Sequence, residues 1–130
     1  MEAKATAKFV RYTPRKVNQV LALIRNKKVE KAFEILFFLP KSAAELVKKV
    51  LKSATANAGK LEDYSNLKVK EAWVGNGSIL KRIRAGSKGR SMPIKKRMVH
   101  LTIIVTDVSV SAEKIKKRTV KNEVEAKKAE

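Results

Sequence analysis

The sequence predicts an α+β fold: a small three-stranded antiparallel sheet packed on helices, with a long β-hairpin protruding from it. Three observations carry this expectation. Residues 3 to 9 alternate small apolar with polar side chains, and residues 14 to 58 hold apolar stripes at helical spacing. Two β-rich segments, Leu67 to Val74 and Met98 to Val105, flank a run of glycines and cations with no core pattern of its own. A chain of 130 residues supports one modest core. The expected organisation is a domain over residues 1–110 that includes a basic hairpin arm at 75–97, followed by a charged, mobile tail at 111–130.

In the first strand, Ala3, Ala5, Ala7 and Phe9 alternate with Lys4, Thr6 and Lys8, placing the apolar groups on one face. Thr13 then precedes Pro14, an N-cap hydroxyl followed by a proline at the first helical position, where its missing N–H costs nothing. Val17, Val20, Leu21 and Ile24 form the buried stripe of this helix, and Asn26 closes it. A short second helix over Val29 to Phe38 ends at Pro40. Ser42-Ala43-Ala44-Glu45 reads as a capping box, opening a third helix whose stripe of Leu46, Val47, Val50, Leu51, Ala54 and Ala58 stops at Gly59. Leu61 to Asn66 is a loop.

Between the two remaining strands, the segment from Gly75 to Arg97 is too long for a structureless loop in a compact domain. If the flanking strands continue as a hairpin turning near Gly86 to Gly89, the arm beyond Trp73 reaches roughly 40 Å at about 3.3 Å per residue. An isolated two-stranded arm is marginal in water, so full order is expected only against a partner. Trp73 is read as a core anchor at the base of the arm in preference to a base-stacking platform, and the arm's glycines are expected to supply backbone flexibility.

The chain carries 31 Lys or Arg and 12 Asp or Glu, a net charge of +19. The surplus is not spread evenly. Residues 1–29 hold 8 basic and 1 acidic residue and residues 72–106 hold 8 and 0, whereas residues 30–71 hold 8 and 6. A mixed-sign lysine surface only keeps a protein in solution. A 35-residue acid-free stretch repels itself unless a polyanion neutralises it. Phosphate binding needs only cations, backbone N–H groups and small polar side chains, and Arg82, Arg84, Arg90 and Arg97 suit it because guanidinium forks onto phosphate or stacks on a base. Arg11, Arg15 and Lys16 crowd the start of the first helix, a second candidate phosphate site. Ile83, Met92, Pro93 and Ile94 are available to pack on sugars or bases.

Other chemistry finds little support. Without cysteine there is no disulfide framework, thiolate nucleophile or Cys-based zinc site, which fits a reducing compartment. The start of the chain has no signal-peptide core, and the longest apolar runs fall far short of the roughly 20 residues of a membrane span, so a soluble, unexported protein is expected. His100, the single histidine, lies in a strand pattern with a structural or RNA-facing role. Glu62, Asp63 and Glu71 have no His or Cys with which to form a metal site or an acid/base pair. Gly75-x-Gly77 and Gly86-x-x-Gly89 match no nucleotide-binding fingerprint. The residues alone leave open an architectural DNA-binding protein, with Pro93 or Ile94 as a wedge in the minor groove, and more remotely an enzyme acting on nucleic acid.

Five segments in order narrow this choice. Thr13-Pro14-Arg15-Lys16-Val17, Ser53-Ala54-Thr55-Ala56-Asn57-Ala58, Leu80-Lys81-Arg82, Lys88-Gly89-Arg90 and Ile94-Lys95-Lys96-Arg97 followed by His100 together resemble the L-22 family of large-subunit ribosomal proteins, from Ala3 to about Val105. The resemblance implies a structural, non-enzymatic protein of the cytoplasmic ribosome that needs no cofactor or metal. It would bind 23S ribosomal RNA through Arg11, Arg15, Lys16, Lys81, Arg82, Arg84, Lys88, Arg90, Lys95, Lys96 and Arg97, bridging several RNA domains during assembly. The arm tip, Arg82-Ile83-Arg84-Ala85-Gly86-Ser87-Lys88-Gly89-Arg90, would line the nascent-peptide exit tunnel. Implied partners are the ribosomal RNA, neighbouring large-subunit proteins and the nascent polypeptide, with no membrane association and a monomeric state off the ribosome.

Overall fold

A computed structural model describes residues 2–59 and 66–107. The expected tail at 111–130 and most of the expected loop at 61–66 lie outside the described residues. The order of elements is β1 (Glu2–Val10), α1 (Pro14–Ile24), α2 (Val29–Phe38), α3 (Ser42–Asn57), β2 (Leu67–Ala85), a 3₁₀ turn (Ser87–Gly89) and β3 (Ser91–Asp107). The strands form one antiparallel sheet in the order β1-β3-β2, so the last strand lies between the first two.

One face of this sheet meets the helices. α3 packs on β1 and β3, α1 packs on β2, and α2 packs on both other helices. The stripe predicted for α1 is buried in full, and Val47, Val50, Leu51 and Ala54 of α3 meet Ala5, Val69, Ala72, Val99, Leu101, Ile103 and Val105 of the sheet. Alternation at period two puts every second residue of β3 into this core. Asn26 takes a left-handed conformation (φ 61°), turning the chain so that its N–H and the Lys27 carbonyl bond Val69 of β2. Leu39 is extended ahead of Pro40, which ends α2. Gly59 (φ 72°) follows α3, whose Asn57 amide reaches back to the Lys4 carbonyl at 2.9 Å.

Several expectations are corrected. Both expected helix caps are missing: Thr13 precedes α1 without a side-chain hydrogen bond to it, and α3 already begins at Ser42, with Lys41 at the cap position. Phe9 does not share the apolar face of Ala3, Ala5 and Ala7. A one-residue bulge between Ala7 and Val10 gives Phe9 a φ of 55° and leaves it 60% exposed, while Val10 resumes the packing. Trp73 is no core anchor: a bulge between Val69 and Glu71 shifts the alternation of β2 by one residue, so that Ala72 is buried and Trp73 turns to the other face of the sheet, 40% exposed. Both long strands outrun the lengths that hydrophobicity marks, since pairing continues where burial stops.

Candidate nucleic-acid interface

Beyond Val99, where the pairing of β1 ends, β2 and β3 continue alone as the predicted hairpin. A bulge between Asn76 and Ile79, the third in the sheet, marks the change. There a Cβ on Gly77 would stand 3.1 Å from the Met98 carbonyl oxygen and 3.2 Å from His100 Nε2, so the strands approach as closely as they do because residue 77 has no side chain. The pairs that follow are Ile79 with Arg97, Leu80 with Lys96, Lys81 with Lys95, Arg82 with Ile94, Ile83 with Pro93, Arg84 with Met92 and Ala85 with Ser91.

Paired residues share a face, and faces alternate along a strand. Lys81, Lys95 and Arg97 therefore lie on one face of the arm, with Ile79, Ile83 and Pro93. Arg82, Arg84 and Lys96 lie on the other, with Leu80, Ile94 and Met92. Lys88 and Arg90 sit at the tip. No residue of the arm from Ile79 to Arg97 is buried, and Ile83 is 78% exposed. Lys81 directly opposite Lys95 is a repulsive cross-strand pair. None of these eight cations has an ion-pair partner among the described residues, in contrast to Lys70 at the far end of the sheet, whose Nζ bonds Glu2 Oε1 at 2.7 Å. That hydrogen bond holds the Lys70 pKa above the ordinary lysine value.

The tip closes in a hydrogen-bonded turn. The Gly86 N–H donates to the Arg90 carbonyl at 2.8 Å and the Arg90 N–H to the Ser87 carbonyl at 3.2 Å. A Cβ on Gly86 would lie 3.0 Å from the Arg90 carbonyl oxygen, and Gly89 has a φ of 69°. Both glycines thus answer to the turn itself, which corrects the reading of them as backbone flexibility. Lys88 shares the left-handed conformation at φ 54°.

The second predicted site is brought together with the base of the arm. A groove of about 430 Å³ is lined by Thr13, Pro14, Arg15, Lys16 and Arg97. The sequence assigned Arg97 to the arm and Arg15 and Lys16 to α1; the fold makes one cationic surface of them. Arg11 is exposed nearby in the chain but does not line this groove. Arg25 is set apart by its bonds to the Ala72 carbonyl (2.8 Å) and Asn18 Oδ1 (2.6 Å), which make it a structural cation. A roomier groove of about 530 Å³ lies between α2 and α3, where Phe33, Phe37 and Phe38 meet Glu30, Glu34, Lys48 and Lys52. It is an apolar contact surface of mixed charge, apart from the acid-free arm. Among the described residues no three acidic or histidine side chains are grouped to hold a metal ion, and no helix is long and apolar enough to cross a membrane.

A small α+β body with two merged cationic surfaces is a binding scaffold in architecture. The family model described as Ribosomal protein L22p/L17e matches residues 5–106. Among similar curated proteins, the large ribosomal subunit protein uL22 of Endomicrobium trichonymphae is 91% identical over 109 residues, covering 84% of this chain and 95% of that protein. The protein of the same name from Clostridium acetobutylicum is 51% identical over 109 residues, covering 82% and 98%. That from Thermotoga sp. strain RQ2 is 48% identical over 111 residues, covering 84% and 70%. The chain belongs to the L22p/L17e family of ribosomal proteins and is a structural, non-enzymatic constituent of the ribosome.

Proposed function

We propose that this chain is a component of the large ribosomal subunit in the cytoplasm and binds 23S ribosomal RNA through its arm and through the groove at the start of α1. One observation carries the reading: cations lie on both faces and at the tip of an arm that no acid neutralises. A protein that rests on RNA needs cations on one side only. An arm charged all round is suited to insertion, with phosphates on every side screening the repulsion of Lys81 and Lys95. Inserted, it bridges RNA segments distant in sequence, which is how it would help assembly, and becomes fully ordered there.

The remaining assignments extend this reading. Arg11, Arg15, Lys16 and Arg97 hold phosphate at the body, and Lys81, Arg82, Arg84, Lys88, Arg90, Lys95 and Lys96 hold it along the arm. The tip from Arg82 to Arg90 lines the nascent-peptide exit tunnel. The mixed-charge, apolar groove of Phe33, Phe37 and Phe38 suits a neighbouring ribosomal protein, and off the ribosome the chain is a monomer. The test is whether the tagged protein remains with large subunits through a high-salt wash and protects 23S RNA at separated sites, including the tunnel. Release at low salt, or protection confined to one surface helix, would refute insertion.

A further inference from the structure

Three aromatic side chains stand outside both cationic surfaces, and all lie on the sheet face turned away from the helices. The bulge in β1 directs Phe9 there, where its ring meets that of His100 edge-on, with centroids 4.7 Å apart and planes at 85°. The Phe9 N–H donates to His100 Nδ1 at 3.1 Å, fixing the imidazole. Trp73 opposes Thr102, two residues along β3 from His100, and is therefore its diagonal neighbour. For the isolated chain the arrangement is unfavourable twice over: a phenylalanine adopts a left-handed backbone, and by doing so exposes an apolar ring.

Residue 75 gives an independent indication. Gly75 lies directly opposite His100 and beside Trp73 on this face, yet its φ is not positive and a Cβ there would make only ordinary contacts of 3.9 and 4.0 Å with His100. Neither the backbone nor the packing requires glycine. Its missing side chain leaves this stretch of the face bare, with Trp73 two residues away in the same strand and His100, carrying Phe9 against it, directly opposite. From Ala3 along β1, from Ala72 along β2 and up to Thr106 in β3 the surrounding strands hold no acid, while Lys4 and Lys8 are exposed on β1. Glu71, opposite Ile104 on this face, faces Lys4 across β3, and toward Gly75 and the arm no further acid follows. Flat aromatic walls beside exposed lysines fit a planar group attached to phosphate.

We propose that Phe9, His100 and Trp73 form a stacking platform for an unpaired RNA base, which occupies the space above Gly75. This rests on the reading that the chain binds RNA, and it adds a contact to a base where the cationic surfaces contact the backbone.

Trp73 is the only tryptophan in the chain, so its fluorescence reports on the platform directly. The full chain is titrated with a short single-stranded oligoadenylate and with the same oligomer lacking its bases. The normal oligomer is expected to quench Trp73 and the abasic one to bind without quenching. Phe9→Ala should weaken oligoadenylate binding roughly 5- to 100-fold, at an unchanged salt slope because no charge is lost. Gly75→Leu, which fills the space, should keep a cooperative melt but lose the quenching. Salt-dependent binding with a silent Trp73, equal quenching by both oligomers, or quenching that survives Gly75→Leu would each overturn the platform and leave phosphate binding standing. Failure to bind either oligomer, or quenching only by an aromatic peptide, would overturn both readings.

Discussion

β2 and β3 form one antiparallel ladder from Leu67 opposite Asp107 to Ala85 opposite Ser91, but its two halves behave as different materials. In the inner half, alternate residues are sealed under helices, and Leu67, Val69, Leu101, Ile103 and Val105 are almost wholly buried. In the outer half no residue from Ile79 to Arg97 is buried. Backbone pairing is common to both, so pairing does not distinguish them; the covering layer does. Burial of apolar surface stabilises the inner half. The outer half borrows its shape from the inner one and is left with a surface of cations. Bulges at Phe9 and at Gly77 stand at the border, where β1 stops and the twist has to change.

The largest expected effect comes from removing the outer half. Excising Gly77 to Arg97 and closing the strands with a short turn takes away eight cations and almost no core, so the body should still melt cooperatively. If about six of those cations engage phosphates, the arm should supply about 4 to 5 units of the slope of log affinity against log salt, and its excision should leave only the share of Arg11, Arg15 and Lys16, a slope of about −2 to −3. Loss of the melt would break the comparison, because it would show the arm to be part of the fold. Next in size are matched substitutions in the two halves. Ile103→Ala leaves a cavity under α3 and should cost about 2–5 kcal/mol in denaturant unfolding, whereas Ile83→Ala should stay within about 0.5 kcal/mol. Similar costs would mean that the arm packs on itself.

The inner half was legible in the sequence because burial writes a pattern: the α1 stripe of Val17, Val20, Leu21 and Ile24 and the alternation of β3 around Leu101 and Ile103 are buried as expected. The outer half left no hydrophobic period, and it was read instead from charge and from the glycines that permit a turn. Where local rules compete with tertiary ones, the reading failed. Phe9 continues an alternating pattern, and only the bulge that bonds it to His100 sends it outward. Trp73 is a large aromatic that composition would bury, but β2 gives its inward position to Ala72. The union of Arg97 with Arg15 and Lys16 joins residues some 80 positions apart, which no local pattern records.

A finer distinction lies within the cations themselves. Replacing Arg82 or Arg90 by Ala should reduce the magnitude of the salt slope by about 0.7 to 0.9 and leave the melting temperature unchanged, since both side chains are exposed and neither has an ion-pair partner among the described residues. Arg15→Ala should do the same from the body side. If Arg15→Ala lowered stability as well, the start of α1 would belong with the inner half rather than with the binding surface.

The smallest effect is expected at Thr13, where a stabilising cap is easily inferred and the structure has none. The Thr13 carbonyl accepts the Lys16 and Val17 N–H groups at 3.2 and 3.4 Å, and Pro14 has no N–H to satisfy. The hydroxyl makes no bond to the helix and lines the groove shared with Arg15, Lys16 and Arg97. A working N-cap contributes about 1 kcal/mol. Thr13→Ala should therefore cost less than that, within about 0.5 kcal/mol, when measured by thermal unfolding of the protein without RNA. A cost of 1 kcal/mol or more would show that the hydroxyl caps α1 in solution. With a small cost, the hydroxyl stays available to donate to phosphate alongside the cations, and Thr13→Ala should weaken RNA binding at an unchanged salt slope, because a hydrogen-bond donor is lost and no charge is.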